Sequence, residues 1–241
     1  MFTDKVNESK VPRGRGRPPG RTPQGFETRQ RLFDTAIALM ATRGYASTTL
    51  RDVASEAGVS PGLLYRYFPS KRAVVLALYD ELSASFATRA AEMRPGKWRD
   101  RYLFALRTSL QVLAPHRRVL SALTPVLVSD TEEGLFAPKT TFSRDRVQRV
   151  FHDAISGASD APKGDLAAAL GRLLYLVHLA VLLWWLLDKS PRQRATTGLV
   201  ALLERALPSA GLALRLPTVR SIVRTGDELF RQALFDDAGV A

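Results

Sequence analysis

The sequence predicts an all-α protein. After residue 25 the apolar residues recur with helical rather than alternating spacing, Pro and Gly fall where helices should stop, and 46% of the 241 residues are hydrophobic. Single cores stop growing near ~250 residues, so a small domain joined to a larger one is expected. The balance of 35 Lys+Arg against 23 Asp+Glu leaves a strongly basic chain of net charge +12. Zero cysteines exclude a disulfide scaffold, a zinc finger and a thiol nucleophile, and no metal or cofactor is expected. Met1 to Lys10 has no apolar stretch of the kind a secretory signal needs, so a cytoplasmic location is expected.

The elements follow in order. Residues 1–25 contain VPRGRGRPPGRTPQG, where Pro and Gly interrupt any apolar period, so a flexible basic arm is expected. A first helix from about Glu27 to Arg43 turns Leu32, Phe33, Ala36, Ile37, Leu39 and Met40 inward and stops at Gly44. Two compact helices follow. A long helix then runs from near Ser70 to Met93 and links the two parts. Further helices are expected over Lys97–Leu113, His116–Val128, Thr141–Ile155, Asp165–Leu187, Arg192–Leu207 and Thr218–Phe235. Pro115, Pro138, Pro162, Pro191, Pro208 and Pro217 punctuate them, and Pro125 falls where it would kink one. Leu173 to Leu187 carries no formal charge, but at 15 residues it is shorter than a membrane span, so a buried central or dimer-forming helix is expected and no membrane partner.

The compact pair carries the strongest signal. Thr49 is a natural N-cap with Asp52 placed to complete a capping box, and Leu50, Val53, Ala54 and Ala57 form one apolar stripe. Gly58 permits a tight turn, Val59 plugs the angle, and Ser60 caps a second helix that begins with Pro61. This is a helix-turn-helix. Leu64 and Phe68 face inward, leaving Pro61, Gly62, Leu63 and Arg66 on the outer, N-terminal side, where such a helix meets base edges in a major groove. Gly62 allows close approach, Leu63 suits a thymine methyl, and Arg66 suits guanine O6 and N7. Ser60, Tyr65 and Tyr67 carry hydroxyls for phosphate oxygens, and Lys71 adds charge at the next helix start. In the arm, Arg15-Gly16-Arg17-Pro18 resembles an AT-hook core, with Arg15 and Arg17 suited to a narrow minor groove. Tyr65 as a core residue, Thr49 as a cap alone and Lys71 as a solvated charge are the plainer readings of the same residues.

Gly44-Tyr45 through TTLRDVASEAGVSPGLLYRYFPSK resembles the DNA-binding signature of the TetR family of bacterial transcriptional regulators, over about Thr28 to Leu82. The resemblance implies a three-helix head over residues 26–72 and a larger helical ligand-binding and dimerising body over 73–241. It implies backbone contacts from Thr49, Ser60, Tyr65, Tyr67 and Lys71, and base or groove contacts from Arg51, Pro61, Gly62, Leu63 and Arg66. The implied partners are a double-stranded DNA operator, a second copy of the chain and an apolar small-molecule effector. The implied activity is ligand-responsive repression.

One head covers about half of a typical operator, so two must stand ~34–36 Å apart. Asp165–Leu187 and Arg192–Leu207 are the expected dimer helices, as a four-helix bundle about a two-fold axis. Trp184 and Trp185 are adjacent and therefore face different ways; Trp185, with Leu182, Leu199 and Leu203, is assigned to the seam. For the implied cavity the sequence offers Trp98, Tyr102, Phe104, Phe142, Phe151, His152, Tyr175 and His178, of which Tyr102, Phe142, Phe151, Tyr175 and His178 are the candidates, with ordinary core packing as the alternative for each. The competing functions are a weakly specific architectural DNA-binding protein and a helical enzyme. For the latter, His116, His152 and His178 lack ligand spacing and no nucleophile or phosphate-loop motif occurs.

Overall fold

The computed structural model describes residues 22–132 and 134–234. Arg15 and Arg17 lie outside these residues. Among the described residues there is no strand.

Helix α1 (Pro23–Arg43) begins earlier than its apolar period suggests. The Thr22 hydroxyl accepts from the Gly25 amide at 3.1 Å and Pro23 takes the first helical position, so the cap lies inside the stretch expected to be arm. Gly44 ends the helix with φ of 85°, a conformation that disfavours a Cβ. Helices α2 (Leu50–Glu56) and α3 (Pro61–Tyr67) follow, joined through Gly58 at φ 66°. Leu32, Ala36 and Met40 of α1, Val53 and Ala54 of α2, and Leu64 of α3 are fully buried together, with Phe68 closing the base. Helix α4 (Lys71–Ala90) is capped by Ser70, which accepts from the Ala73 amide, and its Val74, Val75 and Leu78 join the same core.

The body contains α5 (Trp98–Leu113), α6 (Arg117–Ala122), α7 (Thr124–Ser129), α8 (Thr141–Ser156), α9 (Asp165–Leu187), α10 (Arg194–Ala213) and α11 (Pro217–Leu234). The helix expected over His116–Val128 is broken into α6 and α7, because Pro125 lacks the amide that would continue α6. The expected start at Arg192 is displaced as well. Arg192 and Gln193 have φ of 53° and 57°, so α10 starts only at Arg194. It then passes through Pro208 instead of stopping there. Leu207 is buried and Gly211 backs onto the Trp98 indole, so packing on both sides of the proline outweighs the missing hydrogen bond.

Helix α9 lies at the centre of the body, packed along α8 and α11, while α4 and α5 cover the other side of α8. Its length and composition would suffice to cross a membrane, yet ten of its residues, from Leu166 to Trp185, are buried by neighbouring helices. At its C-terminal end the Arg117 guanidinium donates to the carbonyls of Trp185 and Asp188 at 2.9 and 2.8 Å, satisfying acceptors that the helix itself leaves open. The Asp188 carboxylate then accepts from the Thr196 hydroxyl and amide and from the Ser190 amide, which holds its pKa well below the usual carboxylate range and fixes the α9–α10 corner. A bidentate pair between Arg172 and Asp227, at 2.6 and 2.7 Å, ties α9 to α11. Head and body meet chiefly through α4 and through α1 against α6.

Two substitutions probe this packing. Leu64→Ala is expected to destabilise the head by about 2–5 kcal/mol in urea unfolding, because it empties a fully enclosed site. Tyr102 is buried with a hydroxyl that has no hydrogen-bond partner; Tyr102→Phe is therefore expected to leave stability unchanged or raise it by about 1 kcal/mol in the same measurement.

Candidate nucleic-acid interface and ligand cavity

The recognition surface is built from the caps upward. Thr49 and Asp52 form a complete capping box: the Thr49 amide donates to the Asp52 carboxylate at 2.8 Å and the Asp52 amide donates back to the Thr49 hydroxyl at 3.2 Å. The Thr49 hydroxyl also donates to Asp52 at 2.7 Å, which holds the Asp52 pKa below its ordinary value. Both Thr49 donors, amide and hydroxyl, are thus held by Asp52, and a phosphate contact from Thr49 must displace one of those bonds. The Ser60 oxygen accepts from the Leu63 amide at 3.2 Å.

Leu64 and Phe68 anchor α3, so the opposite face is presented to solvent. Pro61, Gly62, Tyr65 and Arg66 are exposed, as is Arg51 on α2, while Leu63 and Tyr67 are half-buried. Tyr65, at 47% exposure, is not the core residue of the plainer reading. Lys71 is neither a free cation nor an ordinary solvated charge: its ammonium donates to the Tyr45 carbonyl at 2.8 Å and lies 4.4 Å from the centre of the Tyr45 ring. It pins the α1–α2 loop. Thr48 does the same from inside, fully buried with its hydroxyl donating to the Gly44 carbonyl at 2.8 Å. Nothing in the spacing of the sequence marks either tie, since both join residues whose proximity arises from the turn.

The body holds a cavity of about 380 Å³ between α4, α5, α6, α7, α8, α9 and the end of α11. Tyr175 and His178 line it. Tyr102 and Phe151 do not: both are fully buried in the layer behind, with the Phe151 ring tilted against the His178 ring at 4.6 Å between centres. Phe142 is 42% exposed at the start of α8 and belongs to the surface. The wall is supplied instead by Tyr79, Leu82 and Phe86 of α4, Leu120 and Thr124 near α6, and Leu179, Leu183 and Leu186 of α9. Their helical spacing was readable as an inward face, but whether an inward face meets another helix or a void depends on the angle between helices.

His178 combines two environments. Its Nε2 is 2.8 Å from the Ser109 hydroxyl, and its ring lies parallel to that of Phe86. Complete burial pushes its pKa down to about 3. The residues assigned to the dimer seam divide. Trp185 is buried within its own subunit, where its indole donates to the Gln193 side chain at 2.8 Å and its face meets the Arg117 guanidinium. Its neighbour Trp184 is 50% exposed, and Leu183 and Leu187 are exposed beside it. The α-helical rotation between adjacent residues thus puts the other tryptophan outward. Leu182, Leu199 and Leu203 are half-buried. Among the described residues, no group of three or more His, Asp or Glu side chains is placed to hold a metal ion.

An exposed helix-turn-helix carried in front of a cavity-bearing helical body defines a class, that of two-part helix-turn-helix proteins. Residues 32–78 match the family described as bacterial regulatory proteins, tetR family. The chain is 37% identical over 77 residues to the HTH-type transcriptional regulator EthR of Mycolicibacterium smegmatis, covering 32% of this chain and 34% of that protein. It is 49% identical over 45 residues to the HTH-type transcriptional repressor KstR of Rhodococcus jostii, covering 19% of this chain and 21% of that protein. The match thus spans about a third or less of these curated relatives. The whole fold is shared more widely. A tetR-family transcriptional regulator from Streptomyces coelicolor superposes with a TM-score of 0.58 at 24% identity, over 89% of this chain and 92% of that one. The fatty acid degradation regulator FadR from Bacillus halodurans does so with a TM-score of 0.57 at 17% identity, over 78% and 95%.

The buried imidazole predicts a pH dependence. Below about 6.5 the unfolded chain protonates His178 while the folded one resists until about 3, so stability is lost as pH falls through that window. Between pH 7 and 5, urea unfolding of the wild type should show about 2 kcal/mol more loss than His178→Phe.

Proposed function

We propose that this protein is a sequence-specific DNA-binding transcriptional regulator, acting in the cytoplasm as a homodimeric repressor that releases its operator when an apolar small molecule fills the body cavity. The observation that carries the reading is α3, whose inner residues Leu64 and Phe68 are sealed while Pro61, Gly62, Tyr65 and Arg66 stand exposed on the other side. Such a helix enters a major groove by its leading end. In this reading Arg66 pairs with guanine, Pro61, Gly62 and Leu63 lie against base edges, and Arg51 reaches the groove wall. Ser60, Tyr65, Tyr67, the Thr49 hydroxyl in exchange for its Asp52 bond and the one Lys71 proton left after its two carbonyl contacts hold phosphates. The Arg15 and Arg17 arm adds minor-groove contacts.

The exposed Trp184, Leu183, Leu187 and Leu202, flanked by Leu199, form an apolar face on α9 and α10 suited to a second copy. The link from cavity to head runs through two helices. Residues of α4 and α6 line the cavity, α4 begins at the end of the helix-turn-helix, and α6 packs on α1. A ligand that favours a different spacing of these helices shifts the two heads and weakens DNA binding by the same coupling factor.

Selection of bound sites from random duplex, at one salt concentration, tests this against an architectural protein: a palindromic site preferred by ~10³ or more supports the reading, and weak preference with steep salt dependence rejects it. Arg66→Ala is expected to relax preference at one base pair per half-site, costing about 1–3 kcal/mol there, whereas Tyr65→Phe weakens all sequences alike in the same binding assay. Trp184→Glu is expected to yield monomers by sedimentation with operator affinity reduced, while its far-ultraviolet circular dichroism stays unchanged.

A further inference from the structure

The serine and threonine protons along the cavity wall are already committed. Ser83 donates to the Asp80 carbonyl at 3.1 Å, Thr124 to Leu120 at 3.2 Å, Thr140 to Gly134 at 2.8 Å and Ser143 to Thr140 at 2.9 Å. Ser109 and the Nε2 of His178 occupy one another, while the His178 Nδ1 is sealed from the cavity space without a partner among the described residues. Arg144, the cation of the wall, points its terminal nitrogens at the carbonyls of Leu135 and Ala137, at 3.3 and 3.5 Å, and at the Thr141 hydroxyl at 2.9 Å.

Tyr175 differs. Its side chain lines the cavity at 2% exposure, held by ring contacts with Phe151 and His178, and its hydroxyl has no hydrogen-bond partner among the described residues. Burial pushes its ionisation up, so the phenol keeps its proton and remains a donor. Unlike the Tyr102 hydroxyl, that of Tyr175 is not sealed among side chains, so a ligand oxygen can reach it and gain a hydrogen bond in apolar surroundings.

We propose that the cavity takes an uncharged, elongated apolar molecule with one carbonyl-type acceptor, and that the Tyr175 phenol donates to that acceptor. A carboxylate is disfavoured because the wall is almost wholly apolar and the terminal nitrogens of its one cation, Arg144, are held by two carbonyls and the Thr141 hydroxyl, so an anion would have to displace those bonds to pair with it directly. The inference rests on the ligand-controlled reading above and adds the chemistry of the ligand.

Methyl nonanoate and nonanoate form a matched pair that keeps the chain and carbonyl and differs in charge. Titration calorimetry of the full chain near neutral pH is expected to show the ester binding about tenfold or more tightly than the acid. Tyr175→Phe should weaken the ester about tenfold with an unchanged melting curve, and Leu179→Trp, which fills the cavity, should abolish its binding. Val147→Trp fills the same cavity from α8 if the first variant does not fold. The proposal is overturned if the acid binds as tightly as the ester, if Tyr175→Phe leaves ester affinity unchanged, or if the ester does not bind. Ester binding that survives cavity filling rejects the cavity as the effector site altogether. Ester binding confined to the cavity but without effect on the operator complex rejects ligand control while leaving the anchor in place.

Discussion

A helix as short as the seven residues of α3 has almost no stability of its own in water, because nucleation costs more than so few hydrogen bonds return. Its existence and its direction therefore depend on burial of Leu64 and Phe68 in the core shared with α1 and α2. Those two contacts decide which residues face outward, and every functional assignment in the head inherits that decision. The Ser60 cap and the Pro61 start locate the first turn to within a residue, and the α2 capping box does the same for the preceding helix. Lys71 and Thr48 then hold the α1–α2 loop from opposite sides, so the three helices behave as one block.

That block is joined to the body at two places, and both touch the cavity wall. Helix α4 is continuous from the head into the wall, and α6 stands between α1 and the C-terminal end of α9. Arg117 is the pivot of the second route: it starts α6, caps α9 through three carbonyls and lies over the Trp185 ring. A change in cavity volume cannot be absorbed by one side chain alone when the same residues complete helix ends, because displacing them leaves carbonyls without donors. The Asp188 corner extends the constraint into α10, where the exposed apolar face begins. Cavity, head and exposed apolar face thus share a small set of hydrogen-bonded helix termini.

The departures from expectation have a common origin. The start of α1 at Pro23, the break at Pro125 and the passage through Pro208 each involve proline, whose effect depends on position. At a first turn it costs nothing, between the six-residue helices α6 and α7 it marks the break, and in the long α10, beside Leu207 and Gly211, it is tolerated. Trp184 and Trp185 illustrate a second limit. Their adjacency requires opposite roles, but which one faces inward depends on Arg117 and Gln193 arriving from other elements.

Local chemistry was enough to determine the all-helical architecture, the two caps and turn of the recognition motif, the inward pair Leu64 and Phe68, and the span of Asp165–Leu187, since each depends on residues within about two helical turns of one another. The tertiary structure alone decided what depends on helices meeting at particular angles. It set the cavity and its wall of α4 and α6 residues, the burial of Tyr102 and Phe151 behind that wall, the solitary phenol of Tyr175, the ties made by Lys71 and Arg117, and the outward tryptophan. A periodic pattern states that a residue faces inward; only the packing of distant segments determines what it finds there.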